Sequence, residues 1–224
     1  MINIGIIGFG TVGTGTAKTL IQNRKLLRER TGVDINLRRI ADLDIKRDRG
    51  LKLAKGVLIN NADSLISDPD IHIVVELIGG TTIAKDILLK AIRNGKHVVT
   101  ANKALLATHG KEIFRAAEKA GVQVGFEASV AGGIPIIKII SEGLVANRIK
   151  SIYGIINGTT NYILSKMSDE NAEFSEVLKE AQKLGYAEAD PTYDIEGIDS
   201  PEVAQVGNIG MPHRSAREVS GQQH

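Results

Sequence analysis

Short apolar runs alternate with longer stretches of helical period along the first half of the chain. Ile2–Ile7, Ile35–Ala41, Ile71–Ile78, His97–Thr100 and Val122–Phe126 read as strands. The third, IHIVVELI, is almost continuously apolar, as a strand covered on both faces should be. Thr11–Arg30, Thr82–Asn94 and His109–Ala120 read as helices, stopped by Gly32, Gly95 and Gly121. This alternation specifies βαβ units, hence an α/β fold: a doubly wound parallel sheet with helices on both faces.

The pattern changes near Ser129. Gly132–Pro135 is a turn that opens a helix, Ile149–Ile156 reads as a strand, and Tyr162–Ser168 and Phe174–Leu184 read as helices, the last capped by Gly185. These elements predict a first domain over 1–130 and the start of a second over 131–200. From 201 to 224 apolar residues are scattered among Pro and Gly without a period, which reads as a poorly ordered tail.

Composition narrows the function. The 224 residues include no Cys, so a disulfide framework, a thiolate metal site and a cysteine nucleophile are excluded. The 28 basic and 26 acidic residues are interspersed, which leaves no footprint for nucleic acid. No apolar run reaches the roughly 18 residues of a membrane span, and the chain starts directly with a strand rather than a signal peptide. The expectation is a cytoplasmic protein that acts on a small molecule.

Gly8-Phe9-Gly10-Thr11-Val12-Gly13 follows the first strand and opens the first helix. In that context the spacing GxGxxG is a dinucleotide fingerprint and makes the sheet Rossmann-type. Gly8 permits the tight turn, Gly10 lets the backbone approach a pyrophosphate, and Gly13 lets helix and strand pack closely. The helix N-terminus adds free N–H groups and a positive dipole end. Asp42, at the end of the second strand, suits a ribose 2′-hydroxyl and hence NAD, or merely starts a turn. Arg38, Arg39, Lys46 and Arg47 lie close enough in sequence to meet the 2′-phosphate of NADP, so both cofactors stay open.

Thr100-Ala101-Asn102-Lys103 falls at the carboxyl edge of the sheet, where ligands of open α/β folds bind. Lys103 there suits a substrate carboxylate or a proton transfer, or is a solvated lysine at a helix start. Glu188, Asp190, Asp194, Glu196 and Asp199 crowd the segment YAEADPTYDIEGID, which fits an amine, a metal or a solvated loop. His72 and His97 sit in strands and read as packed rather than catalytic.

With these residues in hand the chain resembles homoserine dehydrogenases. The matching stretches are GFGTVG (8–13), ELIGG (76–80), TANK (100–103), EASVAGGIP (127–135), GIINGTTNYIL (154–164) and AQKLGYAEADPTYDIEGID (181–199). The resemblance implies reversible reduction of L-aspartate 4-semialdehyde to L-homoserine by NAD(P)H, on the route to threonine and methionine. It implies that the Rossmann-type sheet is followed by an α+β substrate domain, here incomplete, and that the family forms homodimers. It places Thr81, Lys103 and Gly185 against the cofactor, Glu188 on the substrate ammonium group, and Asp199 on the reacting hydroxyl and its proton donor, with Asp194 supporting the loop. It also assigns a sodium ion to Glu127 and the carbonyls of Val130, Gly132 and Ile134.

The family pattern departs after Ser200. Four residues beyond Asp199 the family has a lysine, the expected proton donor, where this chain has Val203. The expectation is a chain that binds dinucleotide and catalyses poorly. The competing expectations are a dinucleotide-binding fragment or sensor without catalysis, and a Rossmann oxidoreductase for another amino or hydroxy acid.

Overall fold

The computed structural model describes residues 1–151 and 158–184. The chain divides into two compact units, Met1–Ile134 and one beginning at Pro135.

The first unit is built on a six-stranded sheet: β1 (Ile2–Ile7), β2 (Ile35–Ala41), β3 (Leu58–Ile59), β4 (Ile73–Glu76), β5 (His97–Thr100) and β6 (Val124–Gly125). The order is β3-β2-β1-β4-β5-β6 and every pairing is parallel. The strand order turns round between β1 and β4, the switch point at which doubly wound sheets bind ligands. β1 is buried almost throughout because both its faces are covered. On one side Ile4, Ile6, Phe9, Ala17, Ile40 and Val75 form a cluster under α1 (Thr11–Gln22). On the other side α4 (Thr82–Arg93) packs on β4 and β5, and α5 (Lys103–Ala120) packs on α4.

Several elements differ from the pattern reading. The helix expected over Thr11–Arg30 is two, α1 and α2 (Arg24–Thr31), separated by Asn23 at φ −98°, ψ 11°. Asn has low helix propensity, and α2 buries no residue, so packing does not force it into line with α1. The helix expected from His109 starts at Lys103, because the Asn102 side chain accepts the Leu105 N–H at 3.0 Å and caps it. β3 and α3 (Ala62–Ile66) were not legible; at two and five residues they are too short to show a period. The strands β4 and β6 are shorter than their apolar runs.

The second unit opens with α6 (Ile136–Lys138), which passes into a π-turn over Ile139–Gly143. The expected strand 149–156 shows no strand at 149–151, and its remainder lies outside the described residues. α7 (Gly158–Glu170) starts earlier than Tyr162 and pairs with α8 (Phe174–Leu184) through Ile163, Val177 and Ala181. Lys166 bridges the two helices, donating to both carboxylate oxygens of Glu180 at 2.7 and 2.8 Å.

Candidate dinucleotide site

The glycine turn lies where β1 ends at the switch point. Gly8 has φ +101°, and a Cβ there would sit 2.5 Å from the Leu77 carbonyl oxygen, so a side chain is excluded by both conformation and space. A methyl on Gly13 would collide with the Gly8 carbonyl oxygen; its absence lets α1 start against the strand end. Gly10 differs from both. It is exposed, and nothing lies within 4 Å of the position its Cβ would take. That open space fits a pyrophosphate approaching the α1 N-terminus, where Thr11 and Val12 are also exposed.

Asp42 closes the β2 side. Its Oδ2 accepts the Phe9 N–H at 2.6 Å and its Oδ1 accepts the Asp44 N–H at 2.8 Å, so one carboxylate fastens the glycine turn and starts its own turn. Arg49 completes the arrangement and was missed by sequence reasoning. Its guanidinium stacks 4.8 Å from the Phe9 ring centroid and donates to Asp42 Oδ1 at 3.2 Å. It also donates to the carbonyls of Phe9, Asp44 and Arg47. Four of its five N–H donors are thus engaged. No motif signals such a residue in a polar loop; only the folded loop reveals it.

The other basic candidates separate. Arg38 pairs with Asp68 at 2.9 Å and Asp70 at 2.6 Å, and Arg39 with Asp68 at 3.2 Å, so neither is directed by these bonds to the cofactor turn. Burial pushes the Asp68 carboxyl up, but hydrogen bonds from Arg38, the Asp70 N–H and Arg39 outweigh it and hold the group below its usual range. Lys46 and Arg47 remain on the exposed loop beside Asp42.

The β4–β5 side carries a second set of loops. Gly79 and Gly80, both at positive φ, lead to Thr81, the N-cap of α4, whose hydroxyl makes no cap bond. Lys103 is the first residue of α5. The N-termini of α1, α4 and α5 therefore all face the carboxyl edge of one sheet. Thr81 and Lys103 stand in the two neighbouring loops there.

Around the assigned sodium ligands, Glu127 opens a single 3₁₀ turn and Val130 is buried. Ala131 and Gly132 follow with φ of 54° and 56°, and the Ile134 N–H returns to the Ala131 carbonyl at 3.0 Å. The chain thus reverses from Ala131 to Ile134, within the stretch 127–134 that the resemblance assigns to sodium. Among the described residues no cluster of three or more His, Cys, Asp or Glu could hold a metal. Gly185, Glu188, Asp194, Asp199 and Val203 lie outside the described residues.

His72 and His97 are exposed rather than packed; their Nδ1 atoms accept the Asn3 and Gln123 N–H groups at 3.1 and 3.0 Å. They line a cleft of about 690 Å³ at the amino edge of the sheet, opposite the glycine turn. No helix among the described residues is long and apolar enough to cross a membrane.

Comparison with known proteins matches the geometry. Residues 8–127 match the family model described as homoserine dehydrogenase, NAD binding domain, and residues 135–206 match the model of homoserine dehydrogenase. A homoserine dehydrogenase of Neisseria gonorrhoeae is 55% identical over 199 residues, which are 89% of this chain and 46% of that protein. The crystal structure of a homoserine dehydrogenase from Thiobacillus denitrificans superposes with a TM-score of 0.83 at 54% identity, covering 90% of this chain and 46% of that one. A hyperthermophilic archaeal homoserine dehydrogenase, solved in complex with NADPH, superposes with a TM-score of 0.75 at 28% identity, covering 92% and 68%. The chain spans about half the length of the curated relatives it matches. With its glycine turn at the switch point and both family models along its length, the chain belongs to the homoserine dehydrogenase family.

Proposed function

We propose that this chain carries the NAD(P)-binding and part of the substrate-binding machinery for the interconversion of L-aspartate 4-semialdehyde and L-homoserine. The observation that carries the reading is the open position at Gly10, between Gly8 and Gly13, on the switch point of the sheet. When bound, the nicotinamide supplies or accepts the hydride. Gly8 to Gly13 receive the pyrophosphate on the α1 N-terminus. Asp42 addresses the adenosine ribose, with Lys46 and Arg47 beside it for a 2′-phosphate. The other half of the dinucleotide then extends over the β4–β5 loops, past Thr81 to Lys103.

The resemblance assigns the remaining roles: Gly185 beside the cofactor, Glu188 on the substrate ammonium group, Asp199 on the reacting oxygen and Asp194 as support. Glu127 with the carbonyls of Val130, Gly132 and Ile134 would hold sodium. One carboxylate and three carbonyls form a hard, weakly charged oxygen set suited to such a cation. The family model continues over 135–206, beyond the cofactor-binding part, which favours an enzyme over a separate sensor module.

Val203 supplies no proton, and loss of a general acid costs about 10²–10⁴-fold in rate. Calorimetry with NADH and NADPH, run beside homoserine-dependent reduction of NAD(P)⁺, tests both parts. Expected is cofactor binding with turnover at least about a hundredfold below that of a full-length relative. Binding of neither cofactor overturns the function. Turnover at the relative's rate overturns the role given to position 203.

A further inference from the structure

Glu76 is the last residue of β4 and is fully buried. An ionisable side chain in such a place needs partners, and it has two. Its Oε1 accepts the Ile78 N–H at 2.9 Å, and its Oε2 accepts the Thr100 hydroxyl at 2.7 Å. Thr100, also fully buried, ends β5 and stands in register with Glu76 across the ladder. The same Thr100 oxygen accepts the Asn102 N–H at 3.0 Å. Asn102 then reaches back: its Nδ2 donates to the Gly80 carbonyl at 2.6 Å, while its Oδ1 caps α5.

These bonds close a ring. From Glu76 it runs through Thr100 and Asn102 to Gly80, and returns along the chain to Ile78. It clasps the β4–α4 loop to the β5–α5 loop, the two loops that present Thr81 and Lys103. We propose that Glu76 is a positioning residue for the nicotinamide half of the dinucleotide site, acting through Thr100 and Asn102 on the Gly79-Gly80 turn and the start of α5. The inference rests on the dinucleotide reading above. The adenosine half lies over β1 and β2, fastened by Asp42 and outside the ring, so the two halves of the ligand report on different parts of the unit.

A carboxylate is specifically suited to this place. Two donors converge on it, and it offers acceptors only. In Glu76→Gln one donor meets an amide NH₂ instead. An apolar side chain would leave both the Ile78 N–H and the Thr100 hydroxyl without their acceptor.

The test measures binding of two pairs of probes by calorimetry: NADH with ADP-ribose, and NADPH with its 2′-phosphorylated ADP-ribose counterpart. In Glu76→Gln and Thr100→Val the whole dinucleotide should weaken about ten- to a hundredfold, the scale of a lost charge-assisted buried bond. ADP-ribose affinity should stay within about twofold. Thr100→Ser keeps the hydroxyl and should restore dinucleotide affinity. A merely structural role would weaken whole ligand and fragment alike, and would overturn the proposal; so would unchanged affinity for both. If Glu76→Gln does not fold, the Thr100 pair decides: Val and Ser binding the dinucleotide equally would overturn it. Unmodified protein that binds neither whole ligand nor fragment would instead remove the dinucleotide reading, and this proposal with it.

Discussion

Replacing Gly10 with Ala should disable the cofactor site while leaving the fold in place. A built Cβ at Gly10 meets no atom within 4 Å, and the backbone at φ −73°, ψ −158° is open to alanine. Two small terms act on stability. Alanine is a poorer N-cap than glycine, by up to about 1 kcal/mol. It also restricts the unfolded chain, which returns about 0.4–1 kcal/mol. Their sum is near zero, so the melting temperature should move by less than about 4 °C. The methyl group does, however, occupy the space through which a pyrophosphate must approach. Overpacking there at about 1–3 kcal/mol would weaken NADH and NADPH about five- to 150-fold. Gly13→Ala is the contrasting variant: its methyl strikes the Gly8 backbone, which cannot swing aside, so stability itself should fall by about 1–3 kcal/mol or more. Thermal melts and cofactor titrations of both variants distinguish the roles. Gly10→Ala binding both cofactors with native affinity, or melting as early as Gly13→Ala, would refute the reasoning.

Arg49→Met should weaken NADH and NADPH by the same factor, because four of Arg49's five donors are engaged by Asp42 and three carbonyls; a loss confined to NADPH and exceeding about tenfold would place Arg49 on the 2′-phosphate instead. The same variant should cost about 1–3 kcal/mol of stability in chemical denaturation, since Asp42 keeps its two backbone donors and remains partly solvated. Asp68 makes stability pH-dependent in a defined direction: a carboxyl held below its ordinary value of about 3.9 contributes fully above that pH and loses its contribution as pH falls through the lower folded value. Asp68→Asn should therefore flatten the acid limb of a melting-temperature profile, and an unchanged limb would contradict the pairing with Arg38 and Arg39.

How much could be read beforehand depended on whether the signal was local. The β1–turn–α1 segment was legible because Gly8, Gly10 and Gly13 carry separate constraints at fixed spacing within a single turn. Asp42 was legible as a strand-end acid that starts a turn, and its carboxylate does accept the Asp44 N–H; that it also fastens the Phe9 N–H of the glycine turn had no local signal. The start of α5 was available in the sequence as an Asn followed by a helix-forming run, and as the alternative of Lys103 at a helix start; the helix expected from His109 begins six residues late. Other features had no local signal. β3 exists only through its pairing with Ile40 and Ala41, and Arg49 acquires its role only when the loop after β2 folds back onto Phe9.

Glu76 lies between these cases and shows what a register can add to a pattern. Read alone, IVVE is an apolar strand with an acid at its end, and HVVT is another with a hydroxyl at its end. Each polar residue looks like the point where a strand leaves the core for solvent. Parallel pairing of neighbouring four-residue strands sets Ile73 against His97 and so, three steps on, Glu76 against Thr100. Residues opposed in register share a face of the sheet. The acid and the hydroxyl therefore meet beneath the two loops rather than ending separately in water, and both are fully buried. A buried carboxylate with two donors costs desolvation that an apolar pair would not incur, so stability alone gives little reason for it. Directional bonds to Ile78 and Thr100 supply what dispersion cannot: a fixed separation between two loop origins at the carboxyl edge of the sheet. A substitution that preserves volume but removes direction, such as Thr100→Val, consequently bears on loop placement more than on core packing.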